Sequence, residues 1–149
     1  MNAEDNLHRF LEAQDNDYPR ALAEIKKGRK QGHWIWYIFP QISGLGFSAT
    51  TQFYAIKDLQ EAEAYLQHPV LGSRLIEISE ALLSVEGKTA NQILGNPDDL
   101  KVRSSMTLFS LLPKTNPIFQ AVLDKFFNSI QDPRTLSSIE NSANGSAGK

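Results

Sequence analysis

The sequence predicts an all-α fold, a single compact domain of six to eight helices, on three observations. Leu71, Leu75, Ile78, Leu82 and Val85 recur at steps of four, three, four and three, the spacing of one helix face. A polar cap followed by proline opens an apolar run at Asn96-Pro97, Asn116-Pro117 and Asp132-Pro133, and proline suits a first helical turn because its missing N–H has no partner to lose there. Every other periodic segment also has the helical period. The chain has 149 residues and no cysteine. A chain of that size buries roughly 70% of the surface its unfolded form exposes, so it needs no disulfide.

In chain order, Leu7, Phe10 and Leu11 form a first stripe that Gln14 and Asp15 end. Asp17 or Tyr18 followed by Pro19 then suits a second helix start, with Ala21, Leu22 and Ile25 inward and Gly28 or Gly32 as the stop. His33 to Phe39 has β-leaning residue types, but a lone strand would leave its N–H and C=O groups without partners, so a short buried helix ended before Pro40 is expected. Ser43-Gly44-Leu45-Gly46 reads as a turn. Ser48 caps a helix holding Phe53, Tyr54 and Ile56, and Asp58 to Glu61 resembles a capping box ahead of Ala62, Tyr65 and Leu66. His68-Pro69 forces a break, and Pro69 starts the longest and clearest element, which runs to Gly87. Thr89 caps a short helix closed by Gly95. Asp98 to Phe109 follows, with Val102, Met106 and Phe109 inward, then Phe119 to Phe126, then Leu136 to Ile139. Residues 1–140 are expected to form the domain and residues 141–149 a disordered tail.

A net charge of −2 disfavours a general nucleic-acid binder, which needs a basic surface. No run reaches the ~18 consecutive apolar residues of a membrane span, and the polar, acidic N-terminus favours a cytoplasmic protein. The three histidines lack metal-ligand spacing and there is no cysteine, so neither metal nor cofactor is expected.

The stretch Gly32 to Gln41 holds both tryptophans of the chain, with Tyr37, Phe39 and His33 among them. Large rings bury area, and Trp N–H, Tyr O–H and His also require polar partners, so the segment can be a core or the wall of a pocket. The basic run Lys26 to Lys30 suits either a solvated helix end or a cationic rim beside those rings. On the helix after Pro97, Lys101, Ser104 and Ser105 share one side. The candidate ligand-binding set is therefore Lys30, His33, Trp34, Trp36, Gln41, Lys101, Arg103, Ser104 and Ser105. Rings, cations and amides together suit a flat base and a phosphate, as in a nucleotide or a phosphorylated sugar. The alternatives are core packing for the tryptophans and a local salt bridge of Lys101 or Arg103 to Asp98 or Asp99. A protein-interaction module without catalysis would instead expose Trp34 or Trp36 as an anchor.

Gly32 to Gln41, Tyr65 to Leu75, and Pro97 to Phe109 resemble three motifs of one uncharacterised bacterial family of small, mostly helical proteins, some of them labelled calpastatin. The resemblance spans about residues 5–140 and implies a helical single domain with no established activity. Gly32 stands where the family pattern has serine. Inhibitors called calpastatin are disordered peptides, whereas this chain reads as a packed globule. A shorter likeness, through Arg103, Met106 and Lys125-Phe126, is to helical N-glycosidases acting on riboflavin-pathway intermediates or ADP-ribosylated groups. It implies cleavage of an N-glycosidic bond, with Lys101 or Arg103 on a phosphate and Asp98 or Asp99 as the first carboxylates to test.

Overall fold

A computed structural model describes the backbone of residues 3–147 and the side chains of residues 6–141. Among the described residues there are nine helices, more than the six to eight expected, and no strand. They are α1 (Ala3–Lys26), α2 (Ile35–Ile38), α3 (Ala49–Tyr54), α4 (Leu59–Gln67), α5 (Leu71–Leu83), α6 (Ala90–Leu94), α7 (Asp98–Ser110), α8 (Ile118–Phe126) and α9 (Pro133–Ala147). No helix among these residues is long and apolar enough to cross a membrane. The tail expected from residue 141 falls largely outside the described side chains.

The two helices expected before residue 26 are one, and α1, not α5, is the longest element. Its buried face runs through Leu7, Phe10, Gln14, Tyr18, Ala21 and Ile25. The stripe reads as interrupted only because two of its members are polar. Gln14 Nε2 donates to the Tyr37 carbonyl at 2.7 Å and to Tyr65 Oη at 3.0 Å, and Tyr18 Oη donates to Glu77 at 2.5 Å, so both polar ends are satisfied inside. An interior proline costs a helix ~3 kcal/mol. Burial of each large side chain returns roughly 1.5–3 kcal/mol, which carries the helix through Pro19.

The caps expected at Ser48, Asp58 and Thr89 form where they were placed, whereas Pro97 and Pro117, not Asn96 and Asn116, hold the cap positions of α7 and α8, with no side-chain cap of their own. Ser48 Oγ accepts from Thr51 N at 3.1 Å and Asp58 Oδ1 from Glu61 N at 2.9 Å, while Thr89 and Gln92 make a complete capping box. Glu61 does not close its own box; its carboxylate takes Lys57 N at 2.8 Å and pairs with Arg9 at 3.2 Å.

Helix α7 is the centre of the molecule. Val102 and every residue from Ser104 to Phe109 are buried, since α8, α4, α6, α9 and α2 pack around it. A helix enclosed on most sides loses the one-sided pattern that a surface helix shows. An aromatic series runs through the core from Phe10 to Tyr65 (5.1 Å, edge-on), to Phe109 (5.5 Å) and to Phe119 (5.8 Å). Helices α4 and α5 meet at Gly72, where a Cβ would lie 1.9 Å from the Leu66 carbonyl oxygen.

The aromatic stretch is a single helical turn, α2, with Ile35 and Ile38 buried. Beyond Pro40 the chain is tied back by one parallel bridge between Ile42 and Ile56: Ile56 N donates to the Gln41 carbonyl and Ser43 N to the Ile56 carbonyl, each at 2.8 Å.

Candidate functional site

Three chain segments converge on one cleft of about 230 Å³: the loop at Gln41 and Leu45, the start of α7 (Pro97, Leu100, Lys101, Arg103, Ser104), and the start of α9 (Asp132, Arg134). Four of the nine residues singled out from sequence line it: Gln41, Lys101, Arg103 and Ser104.

Asp132 is the hub of the cleft. Its Oδ2 accepts from Ser104 Oγ at 2.7 Å, Thr135 Oγ1 at 2.5 Å and Thr135 N at 3.2 Å. Its backbone N–H donates to Thr107 Oγ1 at 3.0 Å. Burial alone would push the Asp132 carboxyl up, but the Thr135 and Ser104 hydroxyls and the Arg103 guanidinium outweigh it and hold it below the usual carboxylate range. It is therefore ionised at neutral pH.

The cations around it are thinly partnered. Arg103 reaches Asp132 Oδ1 only at 3.5 Å, and its Nε is buried without a hydrogen-bond partner. The Lys101 ammonium lies 3.7 Å from Asp98 Oδ1 and 4.9 Å from the centre of the Trp36 ring, with no closer polar partner among the described residues. Arg134 donates from one nitrogen to the Leu45 carbonyl at 2.6 Å. A guanidinium offers five N–H donors, so both arginines keep most of theirs available.

The remaining candidates lie elsewhere. Trp34 is core, 1% exposed, and its indole N–H donates to Glu24 Oε1 at 2.9 Å. That same oxygen takes the N–H groups of Gln31 at 2.8 Å and Gly32 at 2.9 Å. Burial raises the Glu24 carboxyl, yet these donors, with Lys30 nearby, bring it below its ordinary value. Lys30 lies over the Trp34 ring at 5.0 Å, donates to the Gly32 carbonyl and pairs with Asp98 at 2.7 Å, so its charge is spent in structure. Trp36 is half-buried and borders, with Gln41, Leu45 and Tyr54, a gap of about 10 Å³. That is no more than one water needs. Ser105 is fully buried with its hydroxyl unpartnered, and His33 is exposed and lines no cavity described above.

Asp132, Arg134 and Leu45 are site residues that the sequence reading missed. Asp132 was visible as a helix cap, which it is, and nothing in its neighbourhood along the chain announces Ser104 or Arg103 as partners.

The fold and the cleft together define an all-helical domain with a cation-rich hollow built on one buried carboxylate. The chain belongs to the family described as protein of unknown function (DUF1810), whose model matches residues 4–139. It is similar in structure to the conserved hypothetical protein Rv1873 from Mycobacterium tuberculosis, with a TM-score of 0.89 and 44% identity over 91% of this chain and 96% of that one. A search of curated proteins found no match. Both similarities support an uncharacterised helical family, and neither carries the likeness to N-glycosidases.

Proposed function

We propose that the cleft binds a small anionic ligand of the nucleotide or phosphorylated-sugar type. The observation that carries this reading is the imbalance of partners: Lys101, Arg103 and Arg134 face a hollow holding one carboxylate, and Arg103 Nε has no acceptor at all. Cations with no close partner take phosphate oxygens through charge-assisted hydrogen bonds, which are stronger than neutral ones. Gln41 adds an amide for hydroxyl groups, while Leu45, Pro97 and Leu100 give the apolar wall. Drug-sized ligands occupy ~300–1,000 Å³. A cleft of about 230 Å³ therefore fits a phosphorylated pentose, with any attached base extending into the neighbouring hollow of about 310 Å³ that shares Leu45 and Arg134.

One feature favours extending the reading to N-glycoside hydrolysis. Asp132 is ionised, and its hydroxyl donors Ser104 and Thr135 gather on Oδ2 while Arg103 reaches Oδ1 only at 3.5 Å, so a negative oxygen borders the cleft. Such a carboxylate stabilises the positive charge that develops on a sugar ring as its C–N bond breaks and water adds to the anomeric carbon.

Thermal-shift and calorimetric titration with ADP, ADP-ribose, ribose 5-phosphate and riboflavin precursors tests the proposal. A bound ligand at 100 times its Kd adds about 2.7 kcal/mol of stability. Lys101→Gln should lose that response while keeping the helical circular dichroism of the parent. No response to any of the four ends the ligand reading.

A further inference from the structure

We propose that residues 44–52 form a flap that closes over this ligand, and that Phe47 covers the ligand's base and so sets its specificity. The inference rests on the cleft reading above. The segment between Ile42 and Ile56 is a loop whose ends are held together by the parallel bridge, the arrangement of an Ω-loop. Helix α3, inside it, has no buried residue, and Phe47 and Phe53 are 90% and 59% exposed.

The loop is bordered by hollows on both sides and meets the core only through Leu45 and, at its far end, Tyr54. Leu45 is a wall of the 230 Å³ cleft and of the 310 Å³ hollow beside α9, and Gln52, Phe53 and Ala55 border another of about 490 Å³ toward α1. Elements with few buried apolar contacts open and move at low free-energy cost.

The loop also has the parts that a hinged motion requires. Gly44 is in the left-handed region (φ +94°), open to glycine without strain, and Gly46 directly precedes Phe47. Arg9 holds the far end through the carbonyls of Phe53 and Ala55, each at 2.8 Å. Between these ends, Ser48 bonds Thr51 and Gln52 donates to the Phe47 carbonyl at 3.0 Å, so the tip moves as a unit.

Ligand and loop meet at Arg134. Its hydrogen bond to the Leu45 carbonyl ties the loop to α9, and the same guanidinium faces the cleft. An anion on Arg134 competes with that carbonyl, which frees the loop to turn about Gly44. Phe47 stands two residues beyond Leu45 and is the ring that the turn brings over the cleft mouth.

Three measurements test this. Without ligand, backbone amides of residues 44–49 should exchange with deuterium much faster than those of α7; equally slow exchange overturns the flap. Addition of ADP should slow exchange across the loop, and protection confined to α7 and α9 overturns it. Phe47→Ala should weaken ADP about tenfold and leave ribose 5-phosphate, which has no base, and the melting temperature unchanged. Equal loss for both ligands, or no loss for either, overturns the role of the ring. If the parent protein binds none of the probes, the cleft reading falls and the flap with it; if it binds them with an unmoved loop, only the flap falls.

Discussion

Ser104 donates its hydroxyl to Asp132 across 2.7 Å and thereby joins the central helix α7 to the first turn of α9. The hydroxyl that the sequence offers as a ligand contact is thus a structural donor within the wall of the cleft. Ser104→Ala leaves Asp132 with its Thr135 donors and should cost about 1.5–3 kcal/mol, the range for a hydrogen bond to a charged group. Asp132→Ala strands Thr135 and Arg103 together, leaves Ser104 only the Leu100 carbonyl, and should cost ~3–5 kcal/mol. Urea denaturation of the two variants checks the order, and equal losses would contradict the hub role of Asp132.

Acid should attack the same place. Glu24 and Asp132 are both held below ordinary carboxylate values by their donors. As pH falls, the unfolded chain takes up these protons first, so the stability they contribute is whole above their ordinary values of ~4 and is lost as pH drops through the lower folded values. Melting temperature should decline from about pH 5 to about pH 3, and Glu24→Gln and Asp132→Asn, less stable at neutrality, should decline less steeply.

Lys30 and Lys101 share Asp98 but have opposite parts. Lys30 is nearly enclosed, with a side chain 7% exposed and 2.7 Å from the carboxylate, whereas Lys101 is 27% exposed and 3.7 Å away. Lys30→Gln leaves Asp98 with Lys101 alone and should cost about 1–3 kcal/mol. Lys101→Gln should stay within about 1 kcal/mol of the parent while losing anion binding. Paired melting and binding curves for the two variants separate these outcomes.

Gly72 has no room for a side chain, because a Cβ would sit inside contact range of the Leu66 backbone. Gly72→Ala must part α4 from α5 and should cost ~3 kcal/mol or more, since backbone yields less readily than a side chain. A melting temperature unchanged by this substitution would refute the close approach of the two helices.

The sequence by itself determined the helical class, the caps at Ser48, Asp58 and Thr89, the break at Pro69 and the inward face of α5. Each of these depends on residues within about one or two helical turns of one another, and that range is what period and capping report. It misread α1 as two helices because Gln14 and Tyr18 look like surface residues until Tyr37, Tyr65 and Glu77, distant along the chain, arrive to satisfy them. The candidate site divides in the same way. Lys101, Arg103 and Gln41 carry chemistry that composition and helix position make visible. Only the tertiary structure decided that Trp34 and Lys30 belong to the core around Glu24, and that Asp132, Arg134 and Leu45 complete the cleft. A charge or a ring declares what it can bind, whereas what it does bind is fixed by which distant segment folds against it.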